Sequence, residues 1–102
     1  MLLNSFEIGV NDSRRYPVGY GNWLSDGETI TDVSGETVSP TTDPVFSAVG
    51  EINADADGVI IQAGGGLVGT TYTVLFTITT DLGGASQVRQ DCLEFTVVGG
   101  CD

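Results

Sequence analysis

Thr71-Tyr72-Thr73-Val74-Leu75-Phe76-Thr77-Ile78-Thr79-Thr80 decides the fold class. Tyr72, Val74, Phe76 and Ile78 share one parity, while Thr71, Thr73, Leu75, Thr77 and Thr79 share the other. A period of two with an apolar face and a threonine face is the pattern of a half-buried β-strand. Threonine suits the open face because its branched Cβ favours the extended chain and its hydroxyl tolerates water. Asp81 to Ser86 is a turn cluster with two adjacent glycines. The chain then returns through Gln87 to Val98, with Leu93, Phe95 and Val97 opposite Cys92, Glu94 and Thr96. These two segments predict an antiparallel hairpin.

Upstream elements are shorter. Tyr16 to Tyr20 sets Tyr16, Val18 and Tyr20 on one side, and Pro17 confines it to a sheet edge. Trp23-Leu24 closes against a turn at Ser25-Asp26-Gly27. Thr29 to Val33 reads as a strand, with Ser34-Gly35-Glu36 as a bulge before Thr37-Val38. Pro40 and Pro44 frame a loop; Val45 to Val49 and Gly58 to Ala63 are two further strands around the acidic stretch Glu51 to Asp57. Gly64-Gly65-Gly66 reads as a loop into the hairpin. Helix signals are nearly absent, and the expected fold is an all-β, immunoglobulin-like antiparallel β-sandwich of about seven short strands. Gly69-Thr70-Thr71-Tyr72 puts a tyrosine where such sandwiches hydrogen-bond its hydroxyl to upstream backbone; the simpler alternative is a half-buried ring without that bond.

The 102 residues amount to one domain, divided here as 1–13 (an arm or first strand), 14–98 (the sandwich) and 99–102 (a tail). Fourteen acidic side chains face three arginines, with no lysine and no histidine, for a formal charge of −11. That balance argues against nucleic acid and anionic membrane as partners, and the missing imidazole excludes histidine-based triads and His-ligated zinc within one subunit. No apolar run reaches the roughly 18 residues of a membrane span, and the start lacks the basic region of a signal peptide, so synthesis in a cytoplasm is expected. An extended path from Cys92 to Cys101 would separate them by ~30 Å, far beyond disulfide reach, and both are read as free thiols.

Three blocks carry a resemblance: Tyr20-Gly21-Asn22-Trp23-Leu24-Ser25-Asp26-Gly27-Glu28-Thr29-Ile30, then Gly69-Thr70-Thr71-Tyr72-Thr73-Val74 with Ile78-Thr79-Thr80, then Glu94-Phe95-Thr96-Val97. Together they resemble small tailed-phage and prophage structural proteins described as fiber-tail adaptors, over about Tyr16 to Val98. The chain departs from them at Gly19 to Asn22, which lacks an acidic-aromatic segment, and at Thr31-Asp32-Val33, which lacks a second tryptophan. The resemblance implies a non-enzymatic virion protein with an immunoglobulin-like domain, oligomeric in the virion, whose partners are tail, fiber or capsid subunits. A tail and fiber adaptor is the first expectation. Capsid decoration on the phage head and a carbohydrate-binding module at the host surface are the alternatives.

Asn53, Asp55 and Asp57, followed by Gly58, copy the first half of a calcium loop, but position twelve of that loop is Gly64 rather than a bidentate acid. A solvated Asn/Asp/Gly hairpin turn is the plainer reading, and no cofactor is expected. Carboxylate catalysis is the enzymatic option left open by the composition. Asp26, Glu28, Asp43, Asp81 and Asp91 flank turns where solvation accounts for them, and a sandwich this small has little room for a cleft, so no enzyme is expected. Partner-binding candidates are Trp23, for which a core plug under the first corner is the plainer reading, Arg14 and Arg15 on the lead-in, and the alternation Phe6, Ile8, Val10. That alternation can add a strand to a neighbour's sheet edge or serve as the first strand of this domain.

Overall fold

The computed structural model describes residues 2–99. It has seven strands: β1 (Leu2–Gly9), β2 (Ser13–Gly19), β3 (Thr29–Ser39), β4 (Phe46–Ile52), β5 (Gly58–Gly65), β6 (Thr71–Asp81) and β7 (Val88–Val98). No helix occurs among the described residues. One sheet has the order β1-β7-β6-β3 and the other β2-β5-β4. The second sheet, with β7-β6-β3 of the first, orders its strands as immunoglobulin-type sandwiches order B-E-D and G-F-C; β1 joins β7 instead of β2.

β6 and β7 form the expected hairpin, with Tyr72 opposite Phe95 and Val74 opposite Leu93. The parity reading holds: Tyr72, Val74, Phe76 and Ile78 are fully buried, as are Phe95 and Val97. A row of rings runs through the core, with Tyr16 and Phe6 at 4.6 Å, Phe6 and Phe95 at 5.5 Å, Phe95 and Phe46 at 5.5 Å, and Phe46 stacked on Tyr72 at 4.6 Å. Full burial of such a ring contributes roughly 1.5–3 kcal/mol, and three strands besides the hairpin, β1, β2 and β4, are fastened to it through these rings. The bulge in β3 falls between Ser34 and Thr37, where it was expected, and a second register shift lies between Ile30 and Asp32.

Three expectations need correction. The sandwich is not wholly antiparallel, because β1 runs parallel to β7 with Phe6 opposite Phe95 and Ile8 opposite Val97. These strands pair across nearly the whole sequence with no turn joining them, so no local signal announces the pairing. Secondly, Phe6, Ile8 and Val10 serve their own domain: Ile8 is 2% exposed in the core, and Phe6 and Val10 pack against it. Thirdly, Gly64 and Gly65 continue β5, because Ser13 and Phe46 of the flanking strands still pair with them.

The tyrosine corner is present. The Leu67 N–H donates to the Tyr72 hydroxyl at 2.8 Å, and that hydroxyl lies 2.6 Å from Thr42 Oγ1. Thr42 donates its own proton to the Pro44 carbonyl at 2.8 Å, so the Tyr72 proton runs to Thr42. The corner thus ties the β3–β4 and β5–β6 connections together. Cys92 is a free, half-buried thiol, and Cys101 lies outside the described residues.

The molecule is elongated, 48 × 22 × 18 Å. At one end the β2–β3, β4–β5 and β6–β7 connections meet: the Tyr20 N–H donates to the Asp57 carbonyl and the Ile30 N–H to the Ala56 carbonyl, both at 2.8 Å. The other end gathers the remaining loops, with the Gly66 N–H on the Val45 carbonyl at 3.1 Å and the Gly69 N–H on the Val97 carbonyl at 2.8 Å.

Candidate docking surface

Strand parity continues past the apolar part of the hairpin, and this builds the end where the three connections meet. Counting back from Leu93 on the inward face of β7 gives Asp91 and then Arg89; counting forward from Ile78 on β6 gives Thr80. Polar side chains therefore enter the space between the sheets, and each is paired there. Asp91 is 1% exposed. Its Oδ2 accepts from the Tyr20 hydroxyl at 2.7 Å and from Arg89 Nε at 2.8 Å. The Arg89 guanidinium lies 5.5 Å from the Tyr20 ring centre and 5.2 Å from that of Trp23. Tyr20 and Trp23 meet edge to face at 5.9 Å. Burial pushes the Tyr20 phenol well above its ordinary pKa, and the Asp91 carboxylate adds to that, so it stays a donor.

Glu28 forms a second cluster beside the first. Its Oε2 accepts from the Thr80 hydroxyl at 2.5 Å and the Gln87 amide at 3.1 Å, and its Oε1 from the Ser25 N–H at 2.9 Å. The Glu28 N–H donates back to the Ser25 carbonyl at 2.9 Å. The Thr80 hydroxyl, followed by the Ser25 N–H, holds the Glu28 carboxyl below its ordinary pKa, although burial works the other way. The expectation that Glu28 and Asp91 are solvated turn acids is therefore corrected: both are buried and hydrogen-bonded, and they fix the β2–β3 and β6–β7 connections to each other.

This end also carries half-buried Trp23 and Leu24 and exposed Leu82, while exposed Val88 begins β7 with the parity opposite to Arg89 and Asp91. Exposed Asp26 lies on the β2–β3 connection and exposed Asp55 and Asp57 on the β4–β5 connection, and half-buried Asp81 ends β6. Asn53 and Asp57 are occupied with each other: Asn53 Nδ2 donates to Asp57 Oδ1 at 2.9 Å, and the Asp57 N–H donates to Asn53 Oδ1 at 3.2 Å. Among the described residues no three His, Cys, Asp or Glu side chains are grouped to hold a metal ion.

Arg14 and Arg15 are exposed on β2, away from this end, and Arg14 pairs loosely with Asp12 at 3.5 Å. The three rings that a sugar platform would need are not coplanar and free: Tyr20 is buried, Trp23 meets it edge to face, and Tyr16 packs on Phe6 and Phe95. The sheet edges are interrupted in several places. Pro17 removes a donor from β2, two register shifts break β3, and the Glu36 carboxylate of β3 accepts from the Gly50 N–H of β4 at 3.3 Å. At the far end an open hollow of about 290 Å³ is lined by Val38, Pro40, Thr41, Val45, Phe46, Ser47 and Ala48.

Arg89 is the functional candidate that sequence reading passed over. Its signal was the parity of β7, while the signal for buried Glu28 was Ser25-x-x-Glu28, the spacing of a reciprocal side-chain and backbone cap.

No curated protein and no solved structure gives a match. Residues 9–97 match the family model described as podophage GP4 fiber-tail adaptor protein gp77. Because this match runs over most of its length, the chain belongs to the podophage fiber-tail adaptor family, whose members are structural components of the phage tail.

Proposed function

We propose that the chain works as a non-catalytic joint of the virion, one of several identical copies set between tail and fiber, and needs no cofactor. The match to the fiber-tail adaptor family over residues 9–97 carries this reading, because it spans both sheets and both loop ends rather than one motif. The chemistry of the chain is in keeping with it. The carboxylates drawn into the interior, Glu28 and Asp91, are spent on hydrogen bonds and an ion pair that hold loops. A charge of −11 keeps the copies soluble and apart in the host cytoplasm, where they are made, until a partner covers them. The same charge disfavours nucleic acid and anionic membrane.

Particles from a phage with this gene disabled are expected to carry tails without stably attached fibers, and the purified chain added back is expected to restore attachment. Particles that keep their full set of fibers without the chain would overturn the reading.

A further inference from the structure

We propose that the end of the sandwich formed by the β2–β3, β4–β5 and β6–β7 connections is one of the adaptor's two docking surfaces, and that it takes a partner face with an apolar centre and a rim of lysine and arginine. The inference rests on the adaptor reading and adds to it which face is used and what fits there. A protein that joins two bodies needs two separate surfaces, and the opposite ends of a 48 Å molecule supply them.

Half-buried Trp23 is of a residue type enriched at binding hot spots, and buried Tyr20 and half-buried Arg89 pack against it. It is also rigid. Arg89 lies against the rings of Trp23 and Tyr20 and is anchored by the buried Asp91, so little side-chain freedom is lost on docking. Leu82 extends the apolar centre beside Gly27, whose Cβ position would lie 3.6 Å from Leu82 Cδ1.

The same end carries Asp26, Asp55 and Asp57 exposed on its connections and Asp81 at the end of β6. The cation of this end, Arg89, is turned inward onto Asp91. Four carboxylates at an end that also exposes apolar side chains favour a partner with basic groups and steer its approach. A second copy of this chain is the wrong partner, because a two-fold contact through this end would set one acidic rim against another. The far end offers different chemistry, with Val45, Leu67 and Val68 exposed, so the two ends do not compete for one partner.

The test measures binding of the full chain to two probes: particles assembled without it, and separately purified fibers. The triple variant Asp26→Asn/Asp55→Asn/Asp81→Asn is compared with the charge-matched Glu7→Gln/Glu36→Gln/Glu94→Gln, whose positions lie along the strands between the two ends. The first is expected to weaken binding to one probe by about tenfold or more and to flatten its salt dependence; the second stays within about twofold of wild type. The single exposed change Asp55→Lys is expected to weaken the same probe, which answers the question should the triple variant fold poorly. Loop variants that bind both probes like wild type, or a control variant that weakens binding equally, would overturn the proposal. Wild-type chain that binds neither probe overturns the adaptor reading, and this proposal with it.

Discussion

The Tyr20 hydroxyl donates a 2.7 Å hydrogen bond to Asp91 Oδ2, joining residues 71 positions apart between the two sheets. Tyr20 follows directly on β2 of one sheet, and Asp91 belongs to β7 of the other. Removing this donor leaves a buried carboxylate short of one partner. Tyr20→Phe should therefore destabilise the fold by about 1–3 kcal/mol, the cost of an unmet buried polar group. Urea unfolding checks this, and a loss below about 0.5 kcal/mol would show that the bond contributes little net stability.

Glu28 gives the fold an acid limit. Its folded pKa is depressed, mainly by the Thr80 hydroxyl, so the stability it contributes is fully present above the unfolded value of 4.5. That contribution falls away as the pH drops below the unfolded value and through the folded one. Melting temperatures from pH 7 to pH 3 should decline for wild type more steeply than for Glu28→Gln, which is already weaker at pH 7. Parallel curves would remove Glu28 as a source of the acid sensitivity.

Two glycines with the same backbone angle should differ in their tolerance of a methyl group. Gly66 has φ +86°, and an added Cβ would meet Tyr72 Cε2 at 2.9 Å and Phe46 Cδ2 at 3.0 Å. Gly69 has φ +87° with open space around it. Gly69→Ala should cost about 1–2 kcal/mol, from the left-handed backbone alone. Gly66→Ala should cost about 2–5 kcal/mol, because crowding of the stacked rings is added. Equal losses would mean that Phe46 and Tyr72 yield freely.

The 53–57 turn is held by its own hydrogen bonds between Asn53 and Asp57. Asn53→Ala should cost about 0.5–2 kcal/mol, by analogy with the loss of a side-chain cap. Adding chelator or millimolar calcium should leave the melting temperature where it was. A melting temperature that rises with calcium would turn Asn53, Asp55 and Asp57 into metal ligands.

Much of the fold was legible because strand parity is a local property. Tyr72, Val74, Phe76 and Ile78 declare one face over seven residues, and the Asp81 to Ser86 turn says where the chain reverses. The pairing of β1 with β7 was not legible, since Phe6 and Phe95 meet only after every intervening strand is placed. The docking end was half visible. Trp23 stood out as a contact candidate, but Asp91 and Glu28 read as solvated turn acids and Arg89 drew no reading, because charge outweighed parity. Carrying the alternation of Leu93, Phe95 and Val97 two steps further back would have turned Asp91 and Arg89 inward.

The parallel pairing of β1 and β7 bears on mechanical load. When these strands are pulled in opposite directions along their length, the hydrogen bonds from Leu2 opposite Cys92 to Gly9 opposite Val98 are strained together in shear. A hairpin opened from one end would instead lose its bonds one pair at a time. For a fiber-tail adaptor, this is the stronger way to carry tension. Drawn apart through Leu2 and Val98 in a single-molecule experiment, the domain should yield in one high-force event, and stepwise low-force opening would contradict this.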